Sequence, residues 1–200
     1  MKKVVIGWVA LCLFAFPAFA DPIFSLRASD DTPADGDTVK FILSIDGSGG
    51  NEGLILARFD ALLGGTGSWD LPLSPSILAA GLSGHSSSSA GTPVSGGVND
   101  VILAINYQSF PWMPDDIGAS GPTDIWSIDV PVHGNAGDVV ALTLTTELHP
   151  SAGAAVFYSD GGNIAGTSQL ATAGVTMTPE PATMALLGLG AVALLRRRRN

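Results

Sequence analysis

Residues 37–46, DTVKFILSID, alternate between apolar and mostly polar side chains with a period of two. Val39, Phe41, Leu43 and Ile45 fall on one side of an extended chain. A β-strand places alternate residues on opposite faces, whereas a helix would scatter this apolar set around its circumference. The stretch therefore predicts a strand with one face in a hydrophobic core, which is typical of an antiparallel sheet.

The same period recurs along the chain. Strands are predicted within 53–60, 100–108, 125–132 and 138–146, with shorter candidates at 23–28, 154–159 and 174–177. Gly-, Asn- and Asp-rich turns separate these runs, and we interpret residues 133–138, HGNAGD, as a hairpin-like loop. Residues 81–97 are expected to form a long polar loop. Roughly seven to nine short strands indicate an all-β fold, an antiparallel β-sandwich.

The first twenty residues, MKKVVIGWVALCLFAFPAFA, match a secretory signal peptide. A basic start precedes an apolar run at 4–16, and Ala18 and Ala20 form the small-residue cleavage site. We expect signal peptidase to remove this N-terminal signal helix, residues 1–20. Cys12, the single cysteine, leaves with it, so the exported chain is expected to contain no disulfide and no cysteine-ligated metal.

Residues 178–200 read TPEPATMALLGLGAVALLRRRRN. Two prolines end the preceding structure, and the fourteen residues 182–195 carry no charge. As a helix, that run spans about 21 Å, which is less than a bilayer core of about 30 Å. The long side chains of the following arginines extend its reach and favour the cytoplasmic side. We predict a C-terminal membrane helix at 182–195, with a buried core helix as the alternative.

A Pro-Glu-Pro turn, an apolar helix and a basic end follow one another at Pro179, Glu180, Pro181, 182–195 and Arg196, Arg197, Arg198, Arg199. This order resembles the PEP-CTERM sorting signal of Gram-negative bacteria. The resemblance implies that an exosortase acts near the Pro-Glu-Pro motif and that the protein is first held in the inner membrane. It further implies a final place at the cell surface or outside the cell, in an exopolysaccharide matrix such as a biofilm.

Between the two ends lies one predicted domain, residues 21–177. The run Ala34-Asp35-Gly36-Asp37-Thr38-Val39 and the strand end Arg58-Phe59-Asp60 resemble the opening of cohesin modules. Residues 126–132, the turn at 134–138 and residues 139–145 resemble the closing strands of the same fold. The resemblance implies a cohesin-like sandwich, and a jelly-roll or immunoglobulin-like sandwich remains the alternative. It brings no dockerin-binding role, because no residue here supports one.

The predicted domain carries a strongly negative net charge. Its only cations are Arg27, Lys40 and Arg58, against seventeen acidic residues, which makes a net charge of −14 within 21–177. Such a surface repels polyanions, so we expect no nucleic-acid partner.

No motif indicates an enzyme. The sequence Gly81-Leu82-Ser83-Gly84-His85 lacks the final glycine of a serine-hydrolase elbow. The three histidines show no metal-ligand spacing, and paired aspartates such as Asp115 and Asp116 are explained by turns. We therefore expect a non-enzymatic protein.

Two candidate ligand sites stand out in the domain. Asp46 and Glu52 flank a Gly-rich loop whose oxygens are candidate calcium ligands, although its spacing is not that of an EF-hand. Trp69 and Trp112 lie in predicted loops and are candidate contacts for sugar rings, whereas Trp126 alternates into a core face.

The leading hypothesis is a structural or adhesive component of an exopolysaccharide matrix. The alternatives are a carbohydrate-binding module that uses the loop tryptophans and an unrecognised hydrolase.

Overall fold

Strands dominate the computed structural model. It describes residues 23–47, 54–83, 88–104, 117–118, 120–145, 154–158, 163–165, 169–179, 186–189 and 196. The strands within these ranges are β1 Ile23–Ala28, β2 Thr38–Asp46, β3 Leu54–Gly65, β4 Ser68–Trp69, β5 Ser74–Ile77, β6 Thr92–Val94, β7 Gly97–Ala104, β8 Thr123–His133, β9 Val139–Thr145, β10 Ala154–Tyr158, β11 Asn163–Ala165 and β12 Gln169–Thr176. One helical turn, α1 Ala80–Ser83, follows β5.

The first sheet is built around β2 and β8. Strand β2 pairs with β1 on one side and with β8 on the other, and every pairing in this sheet is antiparallel. The far side of β8 is shared by two short strands, because β5 covers Trp126 to Asp129 and β4 covers Val132 and His133.

The second sheet is built around the long strand β3. One side of β3 pairs with β7, which pairs in turn with β6. The other side is divided between β10 near the start of the strand and β9 from Asp60 onward. Strand β12 adds to the free side of β9, so the C-terminal end of the domain lies at the rim of this sheet.

The two sheets face each other across one hydrophobic core. Its fully buried members include residues of both sheets, namely Val39, Phe41, Leu43, Ile45, Phe59, Leu103, Trp126, Ile128, Val130, Leu142 and Leu144. The rings of Phe59 and Trp126 meet edge to face between the sheets, with centroids 5.5 Å apart. This geometry is favourable for aromatic pairs, and it couples β3 of one sheet to β8 of the other.

The predicted all-β fold is confirmed as an antiparallel two-sheet sandwich. The apolar faces predicted for β2, β8 and β9 are buried as a period of two requires. The loop at 133–138 is not a hairpin, because β8 belongs to the first sheet and β9 to the second. Turn residues specify a reversal of direction, but whether the next strand joins the same sheet depends on distant packing.

The interpretation of 81–97 as one long loop is wrong in part. This stretch contains part of α1 and strand β6, and Ser89 forms an isolated bridge with Ile102. Strands as short as β4, β5 and β6 carry too few residues for a period of two to stand out, so the sequence did not reveal them.

Candidate functional site

The junction between the sandwich and the C-terminal segment continues the hydrogen bonding of β12. The N–H of Thr176 donates to the carbonyl of Asp31 at 3.0 Å, and the N–H of Met177 donates to the carbonyl of Asp138 at 2.8 Å. The carbonyl of Met177 accepts from the N–H of Gly137 at 2.9 Å. The side chain of Met177 is 1% exposed and belongs to the core, so the sandwich extends beyond its last strand.

Within the part of the chain that the structure describes, Thr178 is the last residue held in this way. Its N–H donates to the carbonyl of Pro33 at 2.8 Å. Its hydroxyl lies 3.0 Å from the carbonyl of Thr32 and 3.2 Å from that of Pro33, so it donates to either oxygen. Pro179 follows with an exposed side chain and no N–H to donate. We call Thr176, Met177 and Thr178, with the loops that they contact, the junction.

Aspartates shape the loops around the junction. The Oδ1 of Asp30 accepts from the N–H of Thr32, and the Oδ2 of Asp37 accepts from the N–H of Ala34. In the facing loop, the Oδ2 of Asp138 accepts from the N–H of Asn135 at 2.7 Å. These side chains replace backbone partners within tight turns, which is the role expected of aspartate there.

His133 ties three loops together at the same end of the sandwich. Its Nδ1 lies 3.2 Å from Oδ1 of Asp35, and its Nε2 lies 3.1 Å from Oδ2 of Asp70. The same Asp35 oxygen accepts from the N–H of Gly134. The His133 ring therefore bridges the loop that contains Asp35 and the chain that follows β4 at Asp70.

An ion pair links β1 to β8 across the intervening strand β2. The Arg27 guanidinium donates to both carboxylate oxygens of Asp124 at 2.8 and 2.6 Å, and also to the Ser44 hydroxyl. That hydroxyl donates to Asp124 at 2.6 Å. The hydrogen bond from Arg27, followed by the one from Ser44, lowers the pKa of the Asp124 carboxyl below its ordinary value of 3.8.

The predicted C-terminal signal is described at a few positions. Residues 186–189 are helical, and Leu186, Leu187 and Leu189 are exposed, so they do not pack on the core. Arg196 is also exposed. No helix among the residues that the structure describes has the length and apolar character to span a bilayer.

Several predicted sites fall outside the described residues. These are the cleavage site at Ala18 and Ala20, the motif residues Glu180 and Pro181, most of the apolar run 182–195, the arginines Arg197, Arg198 and Arg199, and the ligand candidates Glu52 and Trp112.

The remaining candidate ligand residues, Trp69 and Asp46, lie on strands of the sandwich. Trp69 lies on β4 rather than in a loop, packs against the core, and donates its indole N–H to the carbonyl of Ser95 at 2.9 Å. Asp46 ends β2. Within the described ranges, no three residues among His, Asp, Glu and Cys are grouped in a way that could hold a metal ion.

Sequence reasoning missed the junction contacts. Thr178 and Pro33 are 145 positions apart, and Asp35 and His133 are 98 apart. Local spacing carries no signal of such pairings, because they depend on which strand ends meet at one end of the sandwich. A run of turn-forming aspartates beside the end of a predicted strand is the only hint that the sequence offers.

Comparison with known proteins gives one family match and a set of structural likenesses. The family model of the PEP-CTERM protein-sorting motif matches residues 178–199. No curated protein matches the chain significantly.

Among solved structures, a cohesin module of a family 33 glycoside hydrolase from Clostridium perfringens is 13% identical to this chain, with a TM-score of 0.43. The match covers 80% of this chain and 98% of the module. CaCohA2 from Clostridium acetobutylicum, whose structure was determined in solution, is 14% identical to this chain, with a TM-score of 0.43. This match covers 78% of this chain and 91% of CaCohA2.

The motif match starts at Thr178, whose N–H and hydroxyl are bonded to the Thr32–Pro33 turn of the sandwich. The chain thus carries a PEP-CTERM protein-sorting motif at residues 178–199, directly behind an antiparallel β-sandwich.

Proposed function

We propose that this protein is an exported, non-enzymatic component of the extracellular matrix, sorted to the cell surface through its C-terminal motif. The observation that carries the proposal is the continuity of the two parts. The described core residues and both sheets lie at or before Met177, and the sorting motif begins at Thr178, so the segment that the motif would direct to an exosortase follows the sandwich directly.

The structure of the sandwich supports a structural or adhesive role. Aspartates around the junction are used by turns and by His133, so they serve the fold itself. The acidic domain also suits a soluble protein outside the cell. Association with exopolysaccharide is part of this proposal and follows from the setting that the motif implies.

Intact-mass spectrometry of the protein recovered from its native host tests the sorting. The expected mature form starts at Asp21 and lacks Arg196 to Arg199. Replacement of Pro179, Glu180 and Pro181 by alanine is expected to leave the C-terminal segment in place. The control is Pro122→Ala, which removes an exposed proline outside the motif. A wild-type protein that keeps its arginines would refute sorting.

A second experiment separates the matrix role from sugar recognition. Binding of the purified protein to the exopolysaccharide of its host is compared with that of Trp69→Ala and Trp112→Ala. A matrix component of the proposed kind keeps its cell-surface retention in both variants, since retention depends on the C-terminal motif. Retention and glycan binding lost together in Trp112→Ala would instead favour a carbohydrate-binding module. Hydrolysis of the polymer by the wild-type protein would contradict the non-enzymatic role.

A further inference from the structure

The junction ends at a boundary between Thr178, which is bonded to the sandwich, and Pro179, whose side chain is exposed. Four backbone hydrogen bonds hold Thr176, Met177 and Thr178 alternately to the loop at 31–33 and to the loop at 137–138. The Met177 side chain is buried in the core. To free Met177, the protein must break these bonds and expose a core side chain.

The boundary is sharp because of the residue types on its two sides. Thr178 contributes both its N–H and its hydroxyl to the Thr32–Pro33 turn. Pro179 has no N–H, so the ladder cannot continue through it, and its side chain is exposed. The change from docked to exposed chain therefore falls between positions 178 and 179.

This boundary limits where a protease can cut. Cleavage of a folded protein occurs in exposed segments, or in the small population of molecules that have opened locally. Cleavage before Thr178 requires opening of the junction, whereas the next residue, Pro179, is already exposed. If the C-terminal segment is removed as the proposed function requires, the junction limits how far upstream the cut can fall.

We propose that the processing bond lies C-terminal to Thr178, and that docking of Thr178 on the Thr32–Pro33 turn is what prevents cleavage further upstream. The inference rests on the proposed function for the claim that the C-terminal segment is removed. The mature protein then ends within a few residues of the acidic loops around His133. A partner that becomes joined to this end meets those loops.

Brief digestion of the purified full-length chain with a protease of broad specificity, followed by intact-mass analysis, tests the boundary. The expected stable fragment ends at Thr178 or later. The Thr178→Val variant keeps the shape and the N–H of residue 178 but loses the hydroxyl bond. We expect it to be cut upstream of position 178 about five-fold faster, because the open population rises as one hydrogen bond is lost.

The matched control is Thr172→Val, which removes from the same strand a hydroxyl that bonds Thr143 rather than the junction. We expect the rate of upstream cutting in this variant to stay within two-fold of wild type. Equal rates in the two variants, or a wild-type fragment that ends before Thr178, would overturn the boundary.

The mature C-terminus from the native host separates this inference from the proposed function. A processed chain that ends at Thr178 or later supports both. One that ends upstream of Thr178 overturns the inference alone, since sorting has still occurred. A chain that keeps its arginines overturns the proposed function and the processing inference together, whatever the digestion shows.

Discussion

At the scale of single residues, Gly97 shows how closely β7 and β3 approach. Its φ of 138° lies in the region that residues with a side chain rarely adopt. A Cβ atom at this position would overlap the backbone carbonyl of Ala61. Both sides of this contact are backbone, so no flexible side chain can move away to relieve the overlap. The position therefore requires glycine.

The variant Gly97→Ala is expected to be strongly destabilised, by about 3 kcal/mol or more, because strain and overlap add. The neighbouring Gly96→Ala is the control, since a Cβ there meets nothing within 4 Å. It should change the free energy of unfolding by less than about 0.5 kcal/mol. Chemical denaturation of both variants provides the measurement, and equal stabilities would contradict the close approach.

The ion pair of Asp124 makes stability depend on pH. Because the pKa of Asp124 is lower in the folded state than its ordinary 3.8, the pair stabilises the fold above that pH. The contribution is lost as the pH falls through the lowered folded-state pKa. Its size is at most about 1 kcal/mol, since both side chains are about half exposed.

Denaturation of wild type and Asp124→Asn should therefore show a stability difference at pH 6 that shrinks as the pH falls below about 3.8. Lys40→Met is the control, because it removes the looser ion pair with Asp129 at 3.4 Å and leaves Asp124 intact. A difference for Asp124→Asn that stays constant from pH 6 to pH 2 would show that the carboxyl charge contributes nothing.

At the scale of elements, alternation along each strand decides which side chains hold the sheets together. Strand β9 lies between β3 and β12, and its Val140, Leu142 and Leu144 point into the core. On β3 beside it, Leu62 points outward and is 37% exposed. Two leucines on paired strands thus differ only in the face that they occupy.

We expect Leu142→Ala to lower the free energy of unfolding by about 2–5 kcal/mol, because it removes buried methyl groups and leaves a cavity. Leu62→Ala should cost less than about 1 kcal/mol, since water already reaches this side chain. Thermal and urea unfolding of the two variants makes the comparison. Similar losses would mean that the outer face of β3 is covered in solution.

At the scale of the whole molecule, the core does not end with the last strand. Met177 lies beyond β12 yet is 1% exposed, and the N–H of Thr178 donates to the carbonyl of Pro33. The structural domain and the sorting motif therefore meet at one residue instead of being joined by a linker.

A chain that starts at Asp21 and ends at Pro181 is expected to unfold at the same denaturant concentration as one that continues to Asn200. A chain that ends at Thr176 loses the buried Met177 and should be less stable by about 2–5 kcal/mol. Urea midpoints of the three chains test this. No difference between the chains ending at Thr176 and Pro181 would show that the junction lies outside the cooperative fold.

Local sequence determined the all-β class and the inward faces of β2, β8 and β9, because a period of two is visible among neighbouring residues. It also determined the order of motifs in the C-terminal segment, which depends on residue types alone. It did not determine that the loop at 133–138 crosses between sheets, or that Trp69 is held by Ser95. It also did not show that Thr178 docks on Pro33. Only the tertiary structure decides these contacts, because they join residues far apart in the chain that meet when the two sheets pack around one core.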